Sequence, residues 1–302
     1  MHDFFYQHRT VGIIRITGED AEDYLQSQLT IDLRKLSPGQ VRFGLRLNSK
    51  GKILAGAHIL RMGEEEYILF SQGLEAQGLI SLLEENVVAD EVEFEDESEN
   101  WACLTLGIEK LGDFLPKLGN PSTLDGKIIK LEDGFIFKNE RFQENVFFLI
   151  LKKNSPDSST LTNDLKEISM EEYEFFRMQA GCFSIPCEIG PNELPQEAGL
   201  EKLFVDFNKG CYLGQEVMAR LHSMGQVQRK TVTVEWQGYS ESPPNLPMRV
   251  LINQKNTGTL KALTKLGKQW IGVATIHQKG IEQLGGTGLN LEDESFGKIT
   301  KL

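Results

Sequence analysis

Apolar and polar residues follow short, regular patterns over the first ninety residues of the chain. Residues 11–17 predict a strand, and residues 19–29 predict a helix with its apolar side chains on one face. Alternating runs on both sides of the turn at residues 48–51 predict a hairpin. A further strand at 67–70 and a helix at 79–83 follow. Strands and helices in this order indicate an α+β region with a largely antiparallel sheet.

The middle of the chain shows a different pattern of apolar and polar residues. Residues 101–152 predict mostly strands with a short helix near 113–118, and the Ser-, Pro- and Asp-rich residues 154–160 predict an exposed loop. Ser169 and Glu172 form the ends of a capping box, in which the serine hydroxyl and the glutamate carboxylate satisfy backbone amides at a helix start. We therefore expect a helix that begins after Ser169 and ends at a glycine cap.

Beyond residue 225 the helical patterns disappear. Alternating apolar residues predict several strands, and a proline-rich loop separates the first two of them. A chain of 302 residues is long enough for two or three domains. Residues 226–302 therefore predict a small all-β domain, either a barrel or a sandwich.

Charge and composition exclude several classes of protein. A net charge of −12 argues against direct binding of duplex nucleic acid, which depends on Lys and Arg neutralising phosphates. Arg220, His222, Arg229 and Lys230 lie close in sequence, and we interpret them as a solvated surface. With neither a secretory signal nor an apolar run long enough to span a membrane, the sequence predicts a cytoplasmic protein without membrane contact.

The four cysteines do not form a recognisable framework. Cys103, Cys182, Cys187 and Cys211 are too few for a disulfide-rich fold, and their spacing lacks the paired C-x2-C pattern of a zinc site. We predict free thiols and no metal site. Cys182 and Cys187 are interpreted as thiols without a special role.

The segment Lys209-Gly210-Cys211-Tyr212-Leu213-Gly214-Gln215-Glu216 carries the strongest chemical signal. The glycine before Cys211 permits a tight turn and leaves the sulfur little cover. Residues 214–221 predict a helix start, whose partial positive charge stabilises a thiolate, and Lys209 adds a cation. The pattern indicates a reactive or ligand thiol, although a buried packing cysteine fits the local sequence equally well. His222 is the only close histidine, so a protease-like triad is disfavoured.

Four motifs resemble the YgfZ/GcvT-like family of folate-binding proteins. Residues 209–216 resemble the family's K-G-C-x-x-G-Q-E signature, residues 177–181 its R-I-E-A-G helix end, and residues 194–200 its L-P-x-E-A-G-L segment. Residues 14–32 resemble its opening strand and helix. The matches occur in the expected order and together cover most of residues 10–225.

The resemblance implies an α+β fold, arranged as a three-domain cloverleaf around a central channel that accepts tetrahydrofolate and ending in a C-terminal all-β barrel. Residues 1–225 would form the folate-binding region of two intertwined α+β subdomains, and residues 226–302 the barrel. Related proteins assist iron–sulfur cluster maturation or repair and, in bacteria, support iron–sulfur enzymes that modify tRNA. The implied partners are therefore folate and iron–sulfur proteins or their assembly factors.

The same resemblance assigns the site residues. Cys211 is the functional thiol, facing the folate cavity, and its signature loop consists of Lys209, Gly210, Tyr212, Gly214, Gln215 and Glu216. Tyr173 falls where an aromatic ring stacks on folate in similar proteins, although a core position on an amphipathic helix fits it equally well.

Two further residues complete the implied folate site. Arg177 can pair with the folate tail or with Glu174, and we favour a surface pair. Gln179 stands where the family has Glu, so a charge-assisted bond to the pterin edge is lost and weaker folate binding follows.

The glycine cleavage aminomethyltransferase also resembles this chain but carries an Asp pair after the first hairpin turn, where this chain has Leu54 and Ala55. Aminomethyl transfer is therefore not expected, because no carboxylate is available to orient or deprotonate the reacting nitrogen. The leading interpretation is a tetrahydrofolate-binding protein that assists iron–sulfur cluster assembly or repair. The alternatives are a folate-dependent one-carbon transferase or demethylase, and a scaffold that has lost folate binding.

Overall fold

A computed structural model describes residues 3–121, 123–238 and 242–302. Its strands, in chain order, are β1 Phe4–Gln7, β2 Gly12–Thr17, β3 Gln40–Leu47, β4 Ile53–Arg61, β5 Glu66–Ser71, β6 Glu93–Asp96, β7 Trp101–Gly107, β8 Ile129–Leu131, β9 Gly134–Lys138, β10 Val146–Lys152, β11 Lys166–Glu167, β12 Arg229–Gln237, β13 Met248–Ile252, β14 Lys255–Leu266, β15 Gln269–His277, β16 Leu289–Leu291 and β17 Lys298–Lys301.

The helices separate or flank these strands. The α-helices are α1 Ala21–Gln28, α2 Ala76–Glu84, α3 Leu111–Phe114, α4 Asp157–Thr162, α5 Met170–Gln179, α6 Glu201–Phe204, α7 Gln215–Met224 and α8 Gln278–Leu284. Short 3-10 helices lie at Leu33–Lys35, Ser98–Asn100, Leu115–Leu118, Pro195–Glu197 and Glu294–Phe296. Among the described residues, none of the helices has the length and apolar character needed to cross a membrane.

Two open sheets carry most of the first two hundred residues. The N-terminal sheet has the strand order β3-β4-β5-β2-β6 and is antiparallel throughout. The central sheet has the order β11-β1-β7-β10-β9-β8, so the first strand of the chain pairs with strands that lie more than ninety residues further on. This pairing makes β1 an interior strand of the central sheet.

A closed barrel forms the C-terminal part of the molecule. Its strand order is β12-β15-β14-β13-β16-β17, and β17 pairs back on β12 to complete the closure. The α+β architecture with a C-terminal barrel is therefore confirmed. The boundary at residue 225 stays a prediction.

Two local predictions are wrong. The predicted loop at 154–160 contains the start of α4, because Leu161 is buried in the central-sheet core and Ser155 Oγ accepts a hydrogen bond from the amide of Asp157 at 3.2 Å. The barrel also carries a helix, α8, which the strand pattern did not indicate. Gly280 masks the helical signal there, and it is glycine because a Cβ atom would lie 2.7 Å from the Ile276 side chain.

Candidate functional site

A cavity of about 330 Å³ lies between the N-terminal sheet, the central sheet and α5. This volume is at the lower end of the range of small-molecule sites. Both aromatic rings and polar groups line it. Its walls consist of Tyr6, His8, Arg9, Thr10, Phe43, Gly56, His58, Phe70, Gln72, Gly73, Arg141, Met170, Tyr173, Glu174, Arg177, Cys182, Phe183, Ser184 and Ile185.

Helix α5 supplies one wall, and its start is fixed as the sequence predicted. Ser169 Oγ accepts from the amide of Glu172 at 3.2 Å, while the Glu172 carboxylate accepts from the amide of Ser169 at 2.8 Å. Tyr173 and Arg177 lie four residues apart and therefore share one face of the helix. Both residues line the cavity.

Tyr173 belongs to a buried aromatic and hydrogen-bonded group. Its ring stacks on Tyr6, with centroids 4.4 Å apart and planes 7° apart. Gln72 Nε2 donates to the Tyr173 hydroxyl at 2.9 Å and lies 3.2 Å from Nε2 of His8. The His8 nitrogen is also 2.8 Å from Thr105 Oγ1. Burial lowers the pKa of His8 to about 4, so the ring is neutral at physiological pH.

Arg177 is not the surface residue that we expected. Its side chain is only 9% exposed, and its guanidinium group contacts both Glu174 and Glu188. The two bonds to the Glu188 carboxylate are 2.8 and 2.7 Å long, a bidentate arrangement. Pairing with Glu174 occurs, but inside the protein, and Arg177 is neutralised there without a ligand.

Gln179 is exposed and does not line the cavity. It lies six residues after Tyr173 on α5, about 120° around the helix at 100° per residue. Its predicted contact with the pterin edge is therefore not supported by its position relative to this cavity.

His58 and Arg141 are among the polar residues of the cavity wall that sequence reasoning missed. His58 is 2% exposed, and its Nε2 atom has no hydrogen-bond partner among the described residues. Burial, aided by the charge of Arg141, lowers the pKa of His58 to about 3. A histidine within the apolar residues 53–60 of strand β4 was a signal that could have identified His58. Arg141 lies in a loop whose sequence gives no such signal.

Strand β4 carries no carboxylate anywhere between Ile53 and Arg61. Ala55 faces the core that contains α1 and α2, whereas Gly56 lines the cavity. A Cβ atom on Gly56 would lie 2.7 Å from the Phe43 ring, so Phe43 fills the space that a side chain at this position would need. The wall that β4 contributes therefore contains an imidazole and no acid.

The signature loop is anchored by Lys209. Its Nζ atom donates to the carbonyl oxygens of Gln26, Leu29 and Ile31, at 2.6, 2.5 and 2.8 Å, around the C-terminal end of α1. Burial lowers the pKa of this lysine to about 8. Lys209 was expected to act as a cation beside Cys211. Its role here is structural instead, because all three N–H donors of its ammonium group bind backbone carbonyls.

The two glycines of the loop differ. Gly214 has a φ of +86°, and a Cβ atom there would lie 2.6 Å from the carbonyl oxygen of Asn48, so glycine is required. Gly210 has open space around its missing Cβ and no positive φ, so its conformation does not require glycine. Tyr212 is buried under Lys209, whereas Gln215 and Glu216 begin α7.

Cys211 is exposed just ahead of α7, as the helix prediction required. It does not line the cavity, contrary to the expectation that its sulfur faces the folate site. Cys187 is also exposed, while Cys103 and Cys182 are buried, and burial raises the pKa of both buried thiols. Within the described residues, no cluster of three or more His, Cys, Asp or Glu side chains is arranged to hold a metal ion.

The sequence-adjacent basic residues do not act as a single patch. Arg229 pairs with the buried Glu197 at 2.9 Å, and His222 stacks on Phe207 with centroids 3.9 Å apart. Lys230 and Arg220 are exposed. Half of the group is therefore engaged within the protein.

The fold and parts of the sequence match known proteins. Residues 5–107 match the family model described as the GCVT N-terminal domain. The chain is 27% identical over 291 residues to the tRNA-modifying protein YgfZ of Photorhabdus laumondii, covering 90% of this chain and 83% of the relative. The resemblance of this chain to the YgfZ/GcvT-like family is therefore confirmed.

Two further similar proteins are a relative named for iron–sulfur cluster assembly and a solved structure. The iron–sulfur cluster assembly factor IBA57 homolog, mitochondrial, of Aspergillus fumigatus is 24% identical over 266 residues, covering 77% of this chain and 57% of that protein. The crystal structure of the glycine cleavage system aminomethyltransferase T from Bartonella henselae superposes with a TM-score of 0.77 at 18% identity, covering 96% of this chain and 82% of that one. That structural match shows a shared fold.

Proposed function

We propose that the protein binds tetrahydrofolate in the cavity beside α5 and assists iron–sulfur cluster assembly or repair, with Cys211 as its functional thiol. The two halves of this proposal rest on different parts of the molecule. The cavity supports the folate half, and the exposed loop around Cys211 supports the cluster half.

The cavity offers what a reduced folate needs. Tyr6 and Phe43 provide aromatic surface for the pterin and benzoyl rings, and Gln72 provides a polar group near the stacked tyrosines. Arg9 lies at the exposed part of the wall, where an anionic glutamate tail would meet solvent. The aminomethyltransferase-like fold supports folate as the ligand class.

The observation that carries the cluster half is an exposed cysteine on an anchored loop. Cys211 is accessible to a partner, and the three bonds of Lys209 fix the loop that presents it. Two of the relatives are named for tRNA modification and for iron–sulfur cluster assembly. We propose that this protein supports tRNA modification indirectly, through iron–sulfur enzymes of the cytoplasm, since a net charge of −12 disfavours direct binding to RNA helices.

Aminomethyl transfer is not part of this proposal. It requires a carboxylate beside the reacting nitrogen, and the wall contributed by β4 offers only Gly56 and His58. The one-carbon transferase alternative would be favoured by turnover of a methylated amine with formation of methylene-tetrahydrofolate.

The cluster half is tested by C211A in the native host. We expect the activities of iron–sulfur enzymes to fall while the amount of folded protein is unchanged, because the thiol is exposed. C187A, which removes the other exposed thiol, is the matched control. Unchanged enzyme activity in the C211A strain would refute the role of the thiol. Titration of the purified protein with tetrahydrofolate, followed by Trp and Tyr fluorescence, tests the folate half independently.

A further inference from the structure

Arg141 carries a positive charge that has no carboxylate partner in the part of the chain that the structure describes. The ion pairs formed by the described residues include Arg15, Arg61 and Arg177 but not Arg141, although it lines the cavity. The adjacent Glu140 is engaged elsewhere: its carboxylate accepts from the amide of Phe43 at 3.0 Å. An uncompensated charge in a partly buried site is costly unless it has a ligand to bind.

The guanidinium group of Arg141 is nevertheless held in a defined position. It lies over the ring of Phe43, 4.9 Å from the centroid, and its Nη2 atom donates to the carbonyl of Phe183. Its Nε atom has no acceptor among the described residues. A guanidinium group has five N–H donors, so most of its hydrogen-bonding capacity remains for a ligand.

The carboxylates beside the cavity are engaged by another arginine. Glu174 and Glu188 both pair with Arg177, and the His58 ring, which also packs against Phe43 at 4.9 Å, is uncharged at neutral pH. Arg141 can donate hydrogen bonds but cannot accept them. A ligand ring beside Phe43 must therefore present an acceptor atom to this side of the cavity.

We propose that Arg141 is a specificity-determining residue that selects pteridine ligands with an oxo group at position 4 over those with an amino group there. The 4-oxo oxygen of tetrahydrofolate accepts a charge-assisted hydrogen bond from the guanidinium group. An amino group at the same position places donor against donor and leaves the arginine unsatisfied. This inference rests on the proposed binding of folate.

The test compares tetrahydrofolate with its 4-amino analogue, tetrahydroaminopterin, by fluorescence titration of the full-length protein. We expect the wild type to bind tetrahydrofolate about tenfold or more tightly than the analogue. In R141Q the amide can turn its oxygen towards an amino group, so the preference should shrink to within about threefold. R141K keeps a cation without the planar fork and should retain a reduced preference.

The outcomes separate the two proposals. If the wild type does not bind tetrahydrofolate, the folate function fails, whatever Arg141 does. Equal affinity of the wild type for both ligands overturns the specificity role and needs no variant. An equal loss of affinity for both ligands in R141Q also overturns it, since Arg141 would then hold the tail carboxylate or the fold. If the thermal melt shows that R141Q does not fold, R141K replaces it in the test. An undiminished preference of R141K for tetrahydrofolate would then overturn the specificity role.

Discussion

The rings of Tyr6, in β1, and Tyr173, in α5, stack face to face. One face of Tyr173 is therefore already covered, and its hydroxyl accepts a bond from Gln72. Tyr6 is half-buried and also lines the cavity. A ligand ring is thus expected to meet Tyr6 before Tyr173.

Replacing Tyr6 should weaken ligand binding more than removing the hydroxyl of Tyr173. For Y6L we expect a loss of tetrahydrofolate affinity of about two- to tenfold, the usual value of one aromatic contact. Y173F keeps its ring in the stack and is the matched control. Both affinities are measured by the same fluorescence titration. A larger loss in Y173F would show that the phenol hydroxyl, rather than stacking on Tyr6, holds the ligand.

The four thiols should divide into two reactive and two protected groups. Cys211 and Cys187 are exposed, whereas burial covers Cys103 and Cys182 and raises their pKa values, which suppresses the thiolate that reacts. Iodoacetamide at neutral pH, followed by peptide mass spectrometry, should modify the exposed pair first. Early labelling of Cys182, in the cavity wall, would contradict this order unless the protein had unfolded; a parallel sample in urea defines that case.

Removal of the Lys209 anchor should destabilise the protein. K209M leaves three carbonyl oxygens around the end of α1 without their charged donor, and we expect a loss of about 1.5–3 kcal/mol in the free energy of unfolding. The measurement is urea denaturation. K202M, at an exposed lysine of α6, is the control and should change stability by less than about 0.5 kcal/mol. Equal stabilities of the two variants would show that the three bonds contribute little.

Alanine substitution should distinguish the two glycines of the signature loop. G214A forces a side chain into a left-handed backbone conformation and against the Asn48 carbonyl, so we expect a loss of more than about 1 kcal/mol. G210A meets open space and should stay within about 0.5 kcal/mol of the wild type. If G210A lowers iron–sulfur enzyme activity in the host without altering stability, a partner approaches the backbone beside Cys211.

Acid should destabilise the protein in part through His8. The pKa of His8 is about 6.5 in the unfolded state, whereas burial lowers it to about 4 in the folded state. Between these values the unfolded state binds more protons, so the free energy of unfolding falls as the pH falls, by up to about 1.4 kcal/mol per pH unit. Urea denaturation of the wild type and H8Q from pH 7 to pH 4.5 tests this: the variant should lose stability less steeply. Parallel curves would assign the acid sensitivity to other groups.

Local sequence predicted the elements well but the cavity poorly. Hydrophobic periodicity placed β2, α1 and the β3–β4 hairpin, and the capping residues placed the start of α5, because each depends on neighbours within a few residues. The cavity depends on contacts between distant segments. Tyr6, His58 and Arg141 meet there only because β1 joins a sheet built from residues beyond 100.

The signature motif illustrates the same limit. Its letters grouped Lys209 with Cys211, but the role of the lysine depends on carbonyl groups some 180 residues earlier in the chain. Gly210 and Gly214 look alike in the sequence, and only the close approach of Asn48 separates them. Spacing indicates which residues act together, whereas packing determines what each one does.

The barrel is tied to the helix that forms the cavity wall. Thr233 of β12 donates to the carbonyl of Met178 at 2.6 Å, and Lys261 of β14 donates at 3.0 Å to the carbonyl of Glu188, whose carboxylate holds Arg177. The barrel thus supports residues that form the cavity wall, although none of its described residues lines the cavity itself. A shortened protein that ended at residue 225 would lose both hydrogen bonds, so we expect it to hold a ligand in this cavity less tightly.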